Sequence, residues 1–192
     1  MNPRQATARI NEETVERCEA LTYWVRWAEQ PWEIEQAYRL REAVFCQEQG
    51  IFDGDDRDAL DDAAQLIVAV RKDAEPGNCG EVVIGTVRIH ESEPGVWFGS
   101  RLAVEAESRR HGRIGAALIR LAVSSAHALG CERFLAHVQS QNVPLFRRLH
   151  WAVLQEETLL GRPHHLMQAN LHYYPPCYTP RVGFAVDREA LR

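Results

Sequence analysis

The stretch Ser100–Gly130, SRLAVEAESRRHGRIGAALIRLAVSSAHALG, decides the fold. It opens with a short apolar run, Leu102-Ala103-Val104, crosses a charged turn from Glu105 to Arg110, and enters a helix through Gly112 and Gly115. Small or apolar residues then fall at Ile114, Ala117, Leu118, Leu121, Ala122, Ser125, Ala126 and Leu129, alternating steps that trace one face of a 3.6-residue period. Gly130 is positioned to stop that helix. The order is strand, turn, helix N-terminus.

Such a helix start has chemical consequences. Its first amide N–H groups have no intrahelical partner, and Gly112 and Gly115 put no side chain between them and a ligand. A helix end of this kind attracts anions, and Arg109, Arg110 and Arg113 beside it favour a phosphate or pyrophosphate. The same glycines and arginines also describe an ordinary solvated cap, so the reading turns on the flanking chain.

Upstream, Val96 to Val104 follows the turn pair Pro94-Gly95. Before it stand two β-branched runs, Ala64 to Arg71 and Val82 to His90, with a predicted hairpin loop over Glu75 to Gly80. The three form a predicted antiparallel meander that feeds the chain into the arginine turn. Downstream, Phe134 to Val138 is expected to run parallel to Val96–Val104, because a helix long enough for a crossover separates them. Two parallel strands splayed at that crossover make a cleft for an elongated ligand. Val153 to Leu160 and His165 to His172 read as a closing hairpin, with Gly161 to His165 at or near its turn.

At the other end, Leu21 to Ala28 suits a first strand, and Pro31 opens a helix expected to run to about Gln49. Ile51 to Asp62 carries six aspartates in the ten residues from Asp53, without the regular ligand spacing of an EF-hand, and no metal is expected there. Residues 1 to 20 read as a loosely held arm. The tail from Tyr173 to Arg192, with its prolines and tyrosines, is expected to pack across the domain, over the pocket or at a subunit interface.

Composition narrows the classes. The 192 residues suit one domain with 45% hydrophobic and 26% charged residues, and the net charge of −5 argues against a nucleic-acid binder that relies on a general basic field. No apolar run approaches membrane-spanning length and the N-terminus is unlike a signal peptide, so no membrane partner and a cytoplasmic location are expected. Five cysteines with no Cys-x-x-Cys pair read as free thiols, Cys46 and Cys131 packed in the core.

These motifs carry a resemblance. Arg110, Gly115 and Ala116-Ala117-Leu118 are similar to the acyl-CoA-binding motif of the GNAT superfamily of N-acyltransferases, with Arg113 in place of the first glycine. Arg41, Val44, Phe45, Glu48, Gln49 and Gly50 match the Arg-x-x-Val-Phe-x-x-Glu-Gln-Gly signature of its ElaA-like branch, and Gly161, Pro163, His164 and Met167 match that branch's ending. Asn142 begins a segment similar to a second GNAT motif, in which Phe146 stands where tyrosine is common and His150-Trp151 replaces Gly-Phe. The Leu102 to Gly130 block and the Pro-Pro-Cys-Tyr of the tail resemble a bacterial GNAT subgroup associated with nitrogen starvation and encoded beside a nitrilase, which implies a nitrogen-metabolism context.

The resemblance implies a GNAT fold of the α/β (α+β) class: a mixed central sheet, a V-shaped splay between two parallel strands, and helices on both faces. The domain would cover residues 21–172. It implies acetyl-CoA as donor, with Leu102, Ala103 and Val104 pairing the pantetheine arm. Arg110, Gly112, Arg113 and Gly115 would hold the pyrophosphate, with Arg109, His111, Ile114 and Ala116 also at the cofactor, and Asn142 and Phe146 would line the thiol end. The missing tyrosine removes the usual acid for the CoA thiolate, leaving binding and orientation to drive the reaction. Arg41, Asp61 and Asp62 become candidates for the amine acceptor's side, within an acidic rim over Asp53 to Asp62. For the base, His164 precedes Glu48 and Glu91, since imidazole titrates near working pH. The expected reaction is N-acetylation of a small-molecule primary amine, with a homodimer possible. An acyl-homoserine lactone synthase-like enzyme and a non-catalytic acyl-CoA sensor are the alternatives.

Overall fold

A computed structural model describes residues 22–72, 80–111 and 113–187, and it reports no side-chain surroundings for Thr22, Arg110, His111 and Asp187. The predicted arm, the predicted 75–80 loop up to residue 79, Cys18, Cys79 and Gly112 lie outside the described residues. Eight strands form one sheet: β1 (Thr22–Trp27), β2 (Gln65–Lys72), β3 (Glu81–Glu93), β4 (Val96–Val104), β5 (Arg133–Gln139), β6 (Trp151–Leu159), β7 (Arg162–Ala169) and β8 (Phe184–Asp187), in the order β6-β7-β5-β4-β3-β2-β1-β8. Helix α1 is Pro31–Arg41, α2 is Arg113–Ala128 and α3 is Val143–Arg148.

The apolar runs are central strands buried on both faces. Along β2, Leu66, Val68 and Val70 pack with Ala37 of α1, whereas Ile67 and Ala69 join the cluster built on Ile114, Leu118, Leu121 and Ala122 of α2. Period-two alternation thus sends one strand into two cores, with a helix on each face. The predicted meander is present as antiparallel β2–β3 and β3–β4 pairs.

Strands β4 and β5 are parallel, as the crossover helix requires. Their ladder holds only Val96↔Arg133, Trp97↔Phe134 and Phe98↔Leu135. Beyond Phe98 the strands part. On its other side β4 stays paired to β3, with an irregularity where Thr86↔Ala103 gives way to Arg88↔Ser100. There Arg101 takes φ 55, the left-handed conformation of a bulge residue.

Three expectations need correction. The first helix does not run regularly to Gln49: after Arg41 it widens into a π-helical stretch over Glu42–Glu48, with Gln49 N–H donating to the Val44 carbonyl. The widening turns Val44 and Phe45 together onto Ala103 of β4. The closing hairpin turns at Leu160 and Gly161, both at positive φ (50° and 71°), a two-residue turn that follows strand twist. His164 and His165 are therefore strand residues of β7. Cys46 is only half-buried, while Cys131 is in the core, where burial pushes its thiol up to about 11.

The tail answers for a further difference. Helix α2 is buried around much of its circumference, including Val123 and Ser124, because residues after β7 cross it. Tyr174 is buried and its hydroxyl donates to the Leu149 carbonyl and accepts from Trp151 Nε1 at 3.0 Å. Cys177 N–H donates to Ser124 O at 2.9 Å, and β8 then pairs antiparallel with β1. His150 adopts φ 62 and lays its ring on Tyr173, centroids 3.6 Å apart.

Candidate active site

The fork between β4 and β5 opens into two clefts. The narrower groove, about 390 Å³, runs along Leu102, Ala103 and Val104 to the start of α2, where Ile114 and Gly115 line it. A Cβ on Gly115 would meet nothing within 4 Å, so the space over the first helical turn belongs to the groove. Because the β4–β5 ladder has ended, the β4 backbone here has polar groups outside that ladder, available to an extended ligand. The wider cleft, about 500 Å³, is walled by Phe45, Phe52, Phe98, His90, His137 and His164. Leu102 and Asn142 line both, so the two spaces meet there.

The π-helical stretch borders both: Phe45 faces the wide cleft, Val44, Glu48 and Gln49 the groove. Glu48 is gripped by both terminal nitrogens of Arg109, at 2.5 and 2.7 Å, and Arg109 Nε donates to the Val104 carbonyl at 2.7 Å. The Arg109 contact holds the Glu48 carboxyl below its ordinary range, which makes it a weak proton acceptor. Arg109 is thereby a bridge across the groove wall. Arg113, Ile114, Gly115 and Ala116 form the first turn of α2; the side chains of Arg110 and His111, and Gly112 as a whole, fall outside the description. Phe146 is buried edge-on against Trp151, centroids 5.0 Å apart, and lines the wide cleft with Asn142.

The floor of the wide cleft is a closed charge network. Arg41, fully buried, donates from Nε to Asp56 at 2.9 Å and from its terminal nitrogens to Asp61 at 2.6 and 3.0 Å. Arg88 on β3 grips Asp58 at 2.6 and 3.1 Å, reaches Asp61 at 2.9 Å and donates to Ser100 Oγ at 3.0 Å. The bulge aims Arg101 at Asp56 and Asp58, at 2.9 and 3.1 Å. Three guanidinium groups thus face three carboxylates. Burial pushes the Asp61 carboxyl up, but hydrogen bonds from Arg41 and the Asp58 amide and the Arg41 and Arg88 charges pull it well below its usual range; Arg88 does the same for Asp58.

This corrects the expected acidic rim, because the aspartates that reach the pocket are neutralised by arginines. Arg41 and Asp61 form the rear of the network, while Asp58, Arg88 and Arg101 line the cleft. Asp62 is exposed and lines neither space. Glu91 stands at the β3–β4 turn, its carboxylate accepting from Gly95 N–H at 2.9 Å, and also lines neither. His164 reaches the cleft wall, with its Nδ1 on the Arg162 carbonyl at 2.9 Å. No described residue of the tail lines either space.

Other imidazoles went unread in the sequence. His90, Phe98 and His137 stack across β3, β4 and β5, with centroids 6.0 and 5.6 Å apart. His137 Nδ1 is hydrogen-bonded to Glu157 of β6. Burial and the nearby Arg88 charge hold His90 below the usual imidazole range, and its Nδ1 is buried without a partner. The signals were present, a histidine in the half-alternating run Arg133–Gln139 and an arginine inside the apolar run of β3, but strand pairing alone brings them to one wall.

Residues 19–151 match the family model of the GNAT acetyltransferase family, which spans the fork, both helices at its sides and the floor network. The chain belongs to the GNAT acetyltransferase family. As a GNAT domain it has the acyl-CoA acyltransferase fold, and solved structures agree on that fold. A putative N-acetyltransferase from Lactobacillus plantarum superposes with TM-score 0.66 at 22% identity, covering 77% of this chain and 97% of that one. Escherichia coli ElaA gives 0.59 at 17%, covering 77% and 98%. The CoA-dependent acyl-homoserine lactone synthase BjaI, solved with SAM and isopentyl-CoA, gives 0.63 at 16%, covering 86% and 96%. No curated protein sequence matches the chain. Among the described residues, no helix of this GNAT domain is long and apolar enough to cross a membrane.

Proposed function

We propose that the protein transfers the acetyl group of acetyl-CoA to the primary amine of a small molecule by direct attack in a ternary complex. The observation that carries this reading is the meeting of groove and cleft at Leu102 and Asn142, inside the fork. A donor in the groove would put its diphosphate at the first turn of α2 and its thioester at that junction. The amine enters from the wide cleft, and its lone pair attacks the thioester carbon. A backbone N–H of Leu102–Val104 stabilises the oxyanion. The C–N bond forms, the C–S bond breaks, and CoA leaves as thiolate without a tyrosine at Phe146. An imidazole on the cleft wall, with His164 among them, takes the amine proton.

The lining narrows the acceptor. Its apolar and aromatic wall and self-neutralised floor favour a small amine with an uncharged body over a polycation. Phe146 keeps a non-catalytic acyl-CoA sensor in view, since such a protein binds the donor and releases no thiol.

Calorimetric titration of acetyl-CoA and CoA into the wild type and Gly115→Glu tests the donor site. The added carboxylate fills the groove beside the diphosphate, so affinity falls at least about tenfold. Thiol release over a panel of primary amines then separates enzyme from sensor. Failure of the wild type to bind acetyl-CoA overturns the reading.

A further inference from the structure

We infer that His137, oriented by Glu157, is the catalytic base that takes the proton from the acceptor amine; the inference rests on the acyl-transfer reading above. His137 is the second residue past the last β4–β5 pair, Phe98↔Leu135, so its ring stands where the strands begin to part, on the wall of the wide cleft. The β5–β7 and β7–β6 registers set His137 beside Leu166 and Glu157 beside His164. Glu157 therefore lies diagonally across β7 from His137, and its carboxylate reaches past its direct neighbour to Nδ1 of His137. A carboxylate only accepts, so Nδ1 carries the hydrogen and Nε2 keeps its lone pair. Phe98 fixes the ring plane by stacking at 5.6 Å with 16° between planes.

The other imidazoles of the wall lack this combination. His164 Nδ1 is held by a neutral carbonyl, that of Arg162, which sets its tautomer but supplies no charge to balance an imidazolium. His90 is kept neutral by burial and the Arg88 charge, which disfavours protonation there. The charged and titratable groups on the stretches of strand beside His137 are Glu156 and Glu157 on β6, Arg162, His164 and His165 on β7, Arg133 at the start of β5, and His90 beyond Phe98. Glu157 makes the hydrogen bond to its ring; Glu156 instead lies 3.6 Å from His165.

The step balances. The amine nitrogen bonds to the thioester carbon, the nitrogen's proton passes to His137 Nε2 directly or through one water, and CoA departs with the C–S electron pair. The imidazolium faces the Glu157 carboxylate and then gives its proton to solvent, to which the side chain is 42% exposed.

The test uses the full chain with acetyl-CoA and the primary amine of the panel that releases thiol fastest. His137→Gln is expected to lower kcat by about 10²-fold or more while acetyl-CoA affinity by calorimetry stays unchanged, which also shows that the variant is folded. The acidic limb of the kcat/KM profile should vanish in His137→Gln, and Glu157→Gln should lower kcat while KM for the amine holds. Full activity with an intact limb in His137→Gln, or loss of the limb in His164→Gln instead, overturns the inference and leaves acyl transfer standing. If no amine of the panel supports thiol release, the acyl-transfer reading falls and the base with it.

Discussion

Arg41 carries the floor of the wide cleft: a fully buried guanidinium with four hydrogen bonds to Asp56 and Asp61. Removing one side of such a pair leaves charge stranded in the interior, which costs more than the pair itself contributes. Arg41→Ala is therefore expected to destabilise the protein by about 3–5 kcal/mol, read as a fall in the urea midpoint at unchanged m. A shift below about 1 kcal/mol, typical of an exposed pair, would show that water reaches the network. The residue type at position 41 was legible in the sequence through its family motif. Its partners were not, because Asp56 and Asp61 lie 15 and 20 residues away along a loop whose path no periodicity specifies.

Strand β8 depends on one backbone position. Gly183 has φ 66, and a Cβ there would sit 1.9 Å from the Val25 carbonyl oxygen. A side chain cannot be accommodated while β8 stays paired to β1, so the tail lets go and the cost is capped by what its docking contributes. Gly183→Val should destabilise by roughly 1–3 kcal/mol and raise amide hydrogen exchange along Tyr23–Val25. Thiol release should be unaffected, because the described residues of the tail line neither space. Unchanged exchange in β1 would mean that β8 adds nothing to the edge. Elements with strong periodicity, such as α2 and β2, were legible in advance. The π-helical widening after Arg41 and the early hairpin turn at Leu160-Gly161 were not, since each is set by what the neighbouring strand accepts.

The pH response belongs to the molecule as a whole. Asp58 and Asp61 titrate lower in the folded protein than as free side chains. They add stability at pH values above the ordinary carboxylate pKa of about 4, and that stability is withdrawn as pH falls from there through their folded values. Urea midpoints should therefore drop steeply below about pH 4, and Asp61→Asn should be less stable at neutral pH yet show a shallower acid decline. An equal slope in the variant would remove Asp61 from the acid response. At this scale the sequence by itself determined the strand–turn–helix core, the meander and the parallel crossover, because these follow from short-range periodicity and turn chemistry, while the GNAT fold was legible through the resemblance of its motifs. Only the tertiary structure decided which charges meet and which imidazole meets a carboxylate, and where the tail goes. Those contacts join strands and loops far apart in the chain, and their partners are chosen by sheet register, a bulge and packing, none of which a local pattern records.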